Sequence, residues 1–175
     1  MNRDVYIGLG ANLGKGLDAL RSAVTCLEET GLVEVQRASS IYKTTPIGDI
    51  EQDDFFNAVI GVDTQLSPRG LLALMLETEQ QFGRERTIRW GPRILDLDLL
   101  FFGDVIEDMP GLLVPHPEIL NRGFVLVPMM EIAPDFVHPV LKQTTRELCE
   151  AWISRTPSAD LLVRSLDGAD GILFS

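Results

Sequence analysis

Alternating and helical spacings of apolar residues divide the chain into a series of short elements. Residues 4–10, DVYIGLG, read as a short buried strand, and Leu17, Leu20, Val24 and Leu27 then recur at helical spacing after a glycine-rich turn. Residues 33–42, rich in β-branched side chains, predict a second strand, and residues 55–64, FFNAVIGVDT, a third. A polar run, PIGDIEQDD, separates these two. Ser67 followed by Pro68 supplies an N-cap and a first-turn proline, and Leu71, Leu74, Met75, Thr78 and Phe82 mark a helix ending near Gly83. ILDLDLLFF is strand-like, LLVP is a candidate short strand, and VPMMEIAP and TTRELCEAW have helical spacing. From Thr156 onward the pattern gives its weakest signal. Strands interspersed with helices, without an internal repeat or the regular alternation of a doubly wound sheet, indicate an α+β fold.

Composition narrows the function classes. A chain of 175 residues, 45% hydrophobic and 23% charged, has the makings of one globular domain with its own core. The formal net charge of −11 argues against a broad nucleic-acid or anionic-membrane surface, because both partners require a long-range positive field. An anionic ligand must therefore be drawn in locally, by clustering of the 15 Lys and Arg residues. Cys26 and Cys149 match no metal or redox spacing and read as buried free thiols. With no signal-peptide core and no apolar run of about 18 residues, a reducing cytoplasm is the default location.

The chemistry concentrates in two adjacent segments. In LDLDLLFF, period-two geometry sends Asp96 and Asp98 to one face of a strand and Leu95, Leu97 and Leu99 to the other. Their Cα atoms would lie roughly 6.6 Å apart at about 3.3 Å per residue, close enough to share one cation or hold two neighbouring ones. Two like charges on an apolar strand need a positive partner. Mg²⁺ fits, since it prefers oxygen ligands and takes one or two carboxylates, with waters and phosphates filling the remaining positions. The alternative is a structural network in which arginines pair with the aspartates. Zinc fits poorly, because His116, His138, Cys26 and Cys149 show no ligand spacing.

Immediately upstream, GRERTIRWGPR places Arg84, Arg86, Arg89 and Arg93 within a short span of an otherwise acidic chain. Such a cluster suits a polyanion, which guanidinium groups bind bidentately. Gly83, Gly91 and Pro92 interrupt regular structure and Trp90 supplies an apolar face, so the segment reads as a lid. A solvated charged turn is the bland alternative. Together the two segments supply both halves of phosphoryl-transfer electrostatics.

Three further features carry less. GLGANLGKG fails the phosphate-loop pattern at Leu9 and Gly16 and the dinucleotide pattern at Leu13, and reads instead as a tight strand-to-helix turn built from glycines. His116, between two prolines in VPHP, could present its imidazole to a ligand, though a lone histidine is more often structural. Asn57, beside Phe55 and Phe56, offers a donor and an acceptor next to an aromatic ring, which suits a planar heterocycle.

RWGPRILDLDLLFFG resembles the signature of the 6-hydroxymethyl-7,8-dihydropterin pyrophosphokinases, and IGLGANLG, SSIYKTTPIG, FFNAV and VPHPEILNRGFVLVP resemble further segments of that family in the same order. The similarity runs over residues 5–134. The resemblance implies a ferredoxin-like α+β fold, an antiparallel sheet flanked by helices with mobile loops around the site. It implies transfer of pyrophosphate from ATP to the pterin hydroxymethyl group, giving the pterin diphosphate and AMP, with two Mg²⁺ ions on the triphosphate. Carried over by motif, Asp96 and Asp98 hold the metal, Arg84 and Arg93 assist transfer, and Glu79, Arg86, Trp90 and His116 lie toward ATP. Thr44, Ile47 and Asn57 meet the pterin edge, Phe55 and Phe124 stack on its faces, and Arg122 lies nearby. A monomer is the expectation, although nothing in the sequence sets the oligomeric state. Residues 1–158 would form the catalytic domain and 159–175 an extension matching nothing in the family.

The chain departs from the family pattern at Phe55 and Pro117, where some members carry tyrosine, and in an arginine segment one residue shorter than in some relatives, which leaves the separate roles of Arg86 and Arg89 open. Two rival readings remain: an ordinary kinase or nucleotide hydrolase, which would release ADP, and an acidic binding module whose DLD strand and basic segment pair internally.

Overall fold

The computed structural model describes residues 2–13, 15–44, 53–83, 94–157, 163–166 and 171–173. Within them the order is β1 (Asn2–Ala11), α1 (Gly16–Glu29), β2 (Val33–Ala38), β3 (Tyr42–Thr44), β4 (Phe55–Thr64), α2 (Pro68–Gln81), β5 (Asp96–Phe102), β6 (Glu107–Met109), β7 (Leu112–Val114), α3 (Gly123–Ile132), α4 (Thr145–Arg155) and β8 (Val163–Ser165). The main sheet runs β5-β1-β4-β3-β8, with β2 also pairing β4, and every pairing is antiparallel. Taking β1, β2, β4 and β5 as its four strands, this is the ferredoxin-like β-α-β-β-α-β arrangement. β6 and β7 form a separate hairpin turning at Gly111, whose φ of 83° suits glycine.

The sheet separates two cores. On one face Val5, Ile7, Leu9 and Ala11 of β1 pack with Leu20, Val24 and Leu27 of α1 and Leu71 and Met75 of α2. On the other, Tyr6, Val59, Leu100 and Phe101 pack with Val125, Leu126 and Met129 of α3 and Leu148, Cys149 and Trp152 of α4. The helices form as their sequences direct. Ser67 Oγ accepts the Gly70 N–H at 3.1 Å ahead of Pro68, and Thr144 and Glu147 make a reciprocal capping box at the start of α4.

The structure refines several expectations. Residues 33–42 form two strands instead of one: the Ser39 hydroxyl accepts the Val59 N–H at 3.0 Å, and Ser40 is held by Glu131, so side chains interrupt the ladder. Gly8 and Gly10, which the strand and turn readings share, lie inside β1 as the strand over residues 4–10 predicts. Cys149 is buried, whereas Cys26 is only half-buried, and both are free. Beyond α4, β8 joins the sheet at β3, an element with no sequence signal.

Candidate active site

Directly opposed residues of antiparallel strands share a face, so register alone assembles the site. Asn57 and Asp96 both oppose Gly10, while Val59 and Asp98 both oppose Gly8. Thr44 opposes Phe55, two residues from Asn57 on the same face. The two aspartates, Asn57, Thr44 and Phe55 therefore project from the α3/α4 side at one end of the sheet, separated by two glycines. A Cβ at position 10 would stand 3.2 Å from Asn57 Oδ1, so glycine there keeps the floor between Asn57 and Asp96 open. The glycine-rich opening is thus a cleared sheet face, a role that loop templates could not reveal.

β5 is fixed from both sides. Leu95, Leu97 and Leu99 enter the aliphatic core while Asp96 and Asp98 stay half-buried, as the alternation predicts. Behind the strand, Glu79 is 1% exposed and its Oε1 accepts the Leu97 N–H at 2.7 Å, which pins the residue between the two aspartates. Expected toward ATP, Glu79 is here a buried strut under the acidic strand. The pairing with β1 slips at Leu100, between the pairs Leu99–Ile7 and Phe101–Tyr6. At this bulge the Leu100 carbonyl accepts the His116 N–H at 2.9 Å. A break in the alternation therefore sets the histidine beside Asp98.

Asp98 is the electrostatic centre among the described residues. Its Oδ2 accepts from Arg122 Nη1 at 2.8 Å and its Oδ1 lies 3.8 Å from His116 Nε2. The positive partner that the paired carboxylates require includes Arg122, expected on the pterin side; its guanidinium also stands 5.7 Å over the Phe124 ring. Arg122 and Phe124 bracket the first residue of α3, Gly123, where a Cβ would fall 2.1 Å from the Trp152 ring. That close approach of α4 fixes the direction of both side chains.

His116 Nδ1 accepts the Glu118 N–H at 3.1 Å, so the neutral ring carries its proton on Nε2, toward Asp98. Burial pushes its pKa below the ordinary value, with Asp98 opposing and Arg122 assisting that shift. At the other edge, Asn57 Nδ2 donates to Thr44 Oγ1 at 2.8 Å, both residues being buried. Asn12, which sequence reasoning passed over, is buried just after β1 and donates to the Asp53 carbonyl at 3.4 Å. Ile47, Arg84, Arg86, Arg89, Trp90 and Arg93 lie outside the described residues.

A concavity of about 500 Å³ lies elsewhere, lined by residues including Asp4, Tyr6, Arg37 and Gly61 at the far end of β1. Arg37 and Asp4 pair within it: Arg37 Nη2 stands 3.6 Å from Asp4 Oδ1, and the Tyr6 hydroxyl donates to the same oxygen at 3.2 Å. Burial, first among several causes, pushes that hydroxyl up to about 12. The acidic floor, where His116 and Arg122 meet a pair of carboxylates on one sheet face, is the better candidate for chemistry.

An acidic pair beside cationic partners, at the end of a ferredoxin-like sheet, is a layout suited to phosphoryl-group transfer. Comparison with known proteins narrows that class. Residues 6–134 match the profile of 7,8-dihydro-6-hydroxymethylpterin-pyrophosphokinase, and the chain belongs to that family. A 2-amino-4-hydroxy-6-hydroxymethyldihydropteridine pyrophosphokinase of Synechocystis sp. is 44% identical over 144 residues, covering 82% of this chain and 73% of the relative. One of the same name from Bacillus subtilis is 43% identical over 132 residues, 75% of this chain and 79% of that protein. Among solved structures, Plasmodium falciparum HPPK-DHPS with pteroate superposes with a TM-score of 0.72 over 89% of this chain at 16% identity, a likeness of fold. This chain spans 45% of that one, under half its length. No helix among the described residues is long and apolar enough to cross a membrane.

Proposed function

We propose that the chain transfers pyrophosphate from ATP to the hydroxymethyl group of 6-hydroxymethyl-7,8-dihydropterin, a step of folate synthesis. The hydroxymethyl oxygen attacks the β-phosphorus, the bond to the oxygen bridging to the α-phosphate breaks, AMP leaves, and the hydroxyl proton is lost. The observation that carries this reading is the shared sheet face. It sets two half-buried carboxylates across a glycine floor from a buried amide–hydroxyl pair flanked by Phe55. One side suits a metal–polyphosphate and the other the polar edge of a flat ring.

Asp96 and Asp98 fit Mg²⁺: both offer oxygen donors, from one face of one strand. When bound, the ion neutralises charge on the triphosphate, and two such ions are the family-based expectation. Arg122 balances Asp98 and holds a guanidinium near the place where phosphate charge would gather. Neutral His116 can donate from Nε2 to an anionic oxygen without changing protonation state. Thr44 holds the Asn57 amide in one orientation, so that its carbonyl and remaining N–H can read a ring edge. Phe55 and Phe124 supply apolar faces for the ring. Arg84, Arg86, Trp90 and Arg93 are assigned to ATP, and Ile47 to the pterin edge, from motif likeness. The two free thiols fit a reducing cytoplasm.

The test is the nucleotide product. Protein, Mg²⁺, ATP and 6-hydroxymethyl-7,8-dihydropterin should yield AMP only when the pterin is present. ADP formed without pterin would replace this reading with an ordinary kinase or hydrolase.

A further inference from the structure

The strand that carries Thr44 is only three residues long, and β4 pairs with it on one side. Its other side is closed by chain from beyond residue 134, where the family match ends. β8 pairs antiparallel with it in the register Tyr42–Ser165, Lys43–Arg164 and Thr44–Val163. Two more backbone bonds grip the residue just before β3: the Leu166 N–H donates to the Ile41 carbonyl, and the Ile41 N–H to the Gly171 carbonyl, both at 2.9 Å. Arg21 Nε of α1 donates to the Ile172 carbonyl at 3.0 Å, and Leu173, 5% exposed, enters the aliphatic core. Val163 packs against the opposite core and Leu166 against the aliphatic one, so the segment is anchored on both faces of the sheet.

We propose that residues 163–166 and 171–173 form a positioning segment for the ring-binding side of the site. They hold β3 in register so that Thr44 Oγ1 keeps the Asn57 amide oriented. The inference rests on the reaction proposed above. A three-residue edge strand, without this cover, would present unpaired backbone groups to water and hold its register weakly. The consequence is confined to one half of the site. β8 borders Thr44 and, through it, Phe55 and Asn57, whereas Asp96 and Asp98 lie across β1 and β4 from it. Losing the segment should therefore weaken the pterin and spare the nucleotide. A purely stabilising tail would lower the melting temperature and leave both Michaelis constants alone.

Gly171→Val in the full chain is the direct test, because a Cβ at 171 would fall 2.2 Å from the Leu166 carbonyl oxygen and the segment could not keep both contacts. The expected result is a pterin KM raised roughly tenfold with ATP KM and kcat changed less than about twofold, the signature of lost ground-state binding. Faster hydrogen exchange at the amides of Tyr42–Thr44, with the β5 amides unchanged, should accompany it. If Gly171→Val does not fold, Arg21→Ala, which removes the bond to the Ile172 carbonyl, should give the same pattern at smaller amplitude. Michaelis constants that move together, a melting shift alone, or unchanged β3 exchange would each overturn the inference. A wild-type chain making no AMP would overturn the activity and the pterin role with it, while the exchange arm would still show whether the segment holds β3.

Discussion

The two faces of β1 follow opposite rules. Toward α1 and α2 the strand presents Val5, Ile7, Leu9 and Ala11, all nearly inaccessible to water. Toward α3 and α4 it presents Tyr6 and then two glycines, opposite Asp98 and Asp96. One face gains stability from burial; the other gives up side chains so that charged and amide groups of neighbouring strands can share a ligand. The same ten residues thus separate folding from chemistry by a period of two. Substitutions on alternate positions should separate the two experimentally.

The largest effect is expected at the acid pair. Asp98→Ala removes a carboxylate from the site and strands Arg122 beside it, and turnover should fall by on the order of 10³-fold while the domain stays folded. A variant that keeps its activity would remove the central assignment. On the reverse face, Ile7→Ala should cost about 2–5 kcal/mol in denaturant unfolding, with kcat of the folded fraction unchanged. Equal losses of activity from both variants would mean that the faces are not separable.

Gly10→Ala comes next and probes the floor itself. The new methyl would press on Asn57 Oδ1 at 3.2 Å, an oxygen whose amide is pinned by Thr44 and has little room to give. Pterin KM should rise roughly tenfold with a smaller stability change than Ile7→Ala produces. Gly8→Ala should be milder, because its methyl would meet Leu100 at 3.4 Å, ordinary van der Waals contact with an apolar side chain. A reversed order would show that the floor lies nearer Asp98 than Asn57.

This contrast also explains what the chain reveals before folding. LDLDL alternates strictly, so the facing of Asp96 and Asp98 is legible from spacing, and Ser67–Pro68 marks the start of α2 through local geometry. Gly8 and Gly10 fall in both a strand and a turn reading, and their role stays hidden because a strand glycine has meaning only once its neighbours across the sheet are known. Glu79 and Arg122 were singled out by likeness, but their contacts with Leu97 N–H and Asp98 span 18 and 24 residues and follow no local pattern. β8 left no trace, since Val163–Ser165 is too short to show periodicity and its pairing with β3 is set by tertiary packing. Chemistry held within one element could be read; chemistry assembled by register could not.

The smallest expected effect concerns pH and involves both histidines. His138, like His116, is pushed below its ordinary pKa mainly by burial, and its Nδ1 accepts the Val140 and Leu141 N–H groups at 3.2 and 3.3 Å. Each ring must surrender those bonds to take a second proton. The unfolded chain, whose histidines titrate near 6.5, therefore binds protons that the folded chain resists. Stability contributed by the neutral rings is complete above that value and erodes as pH falls through it toward the lower folded-state pKa values. The melting temperature should decline on the acid side of 6.5, and His138→Gln, distant from the acid pair, should flatten the decline without altering AMP formation. His116→Gln should flatten it as well but also raise the ATP KM, because only that imidazole stands beside Asp98. If the two variants behaved alike in both assays, the imidazole at 116 would be a packing residue on the chemical face, and the division between the faces would be less complete than their side chains suggest.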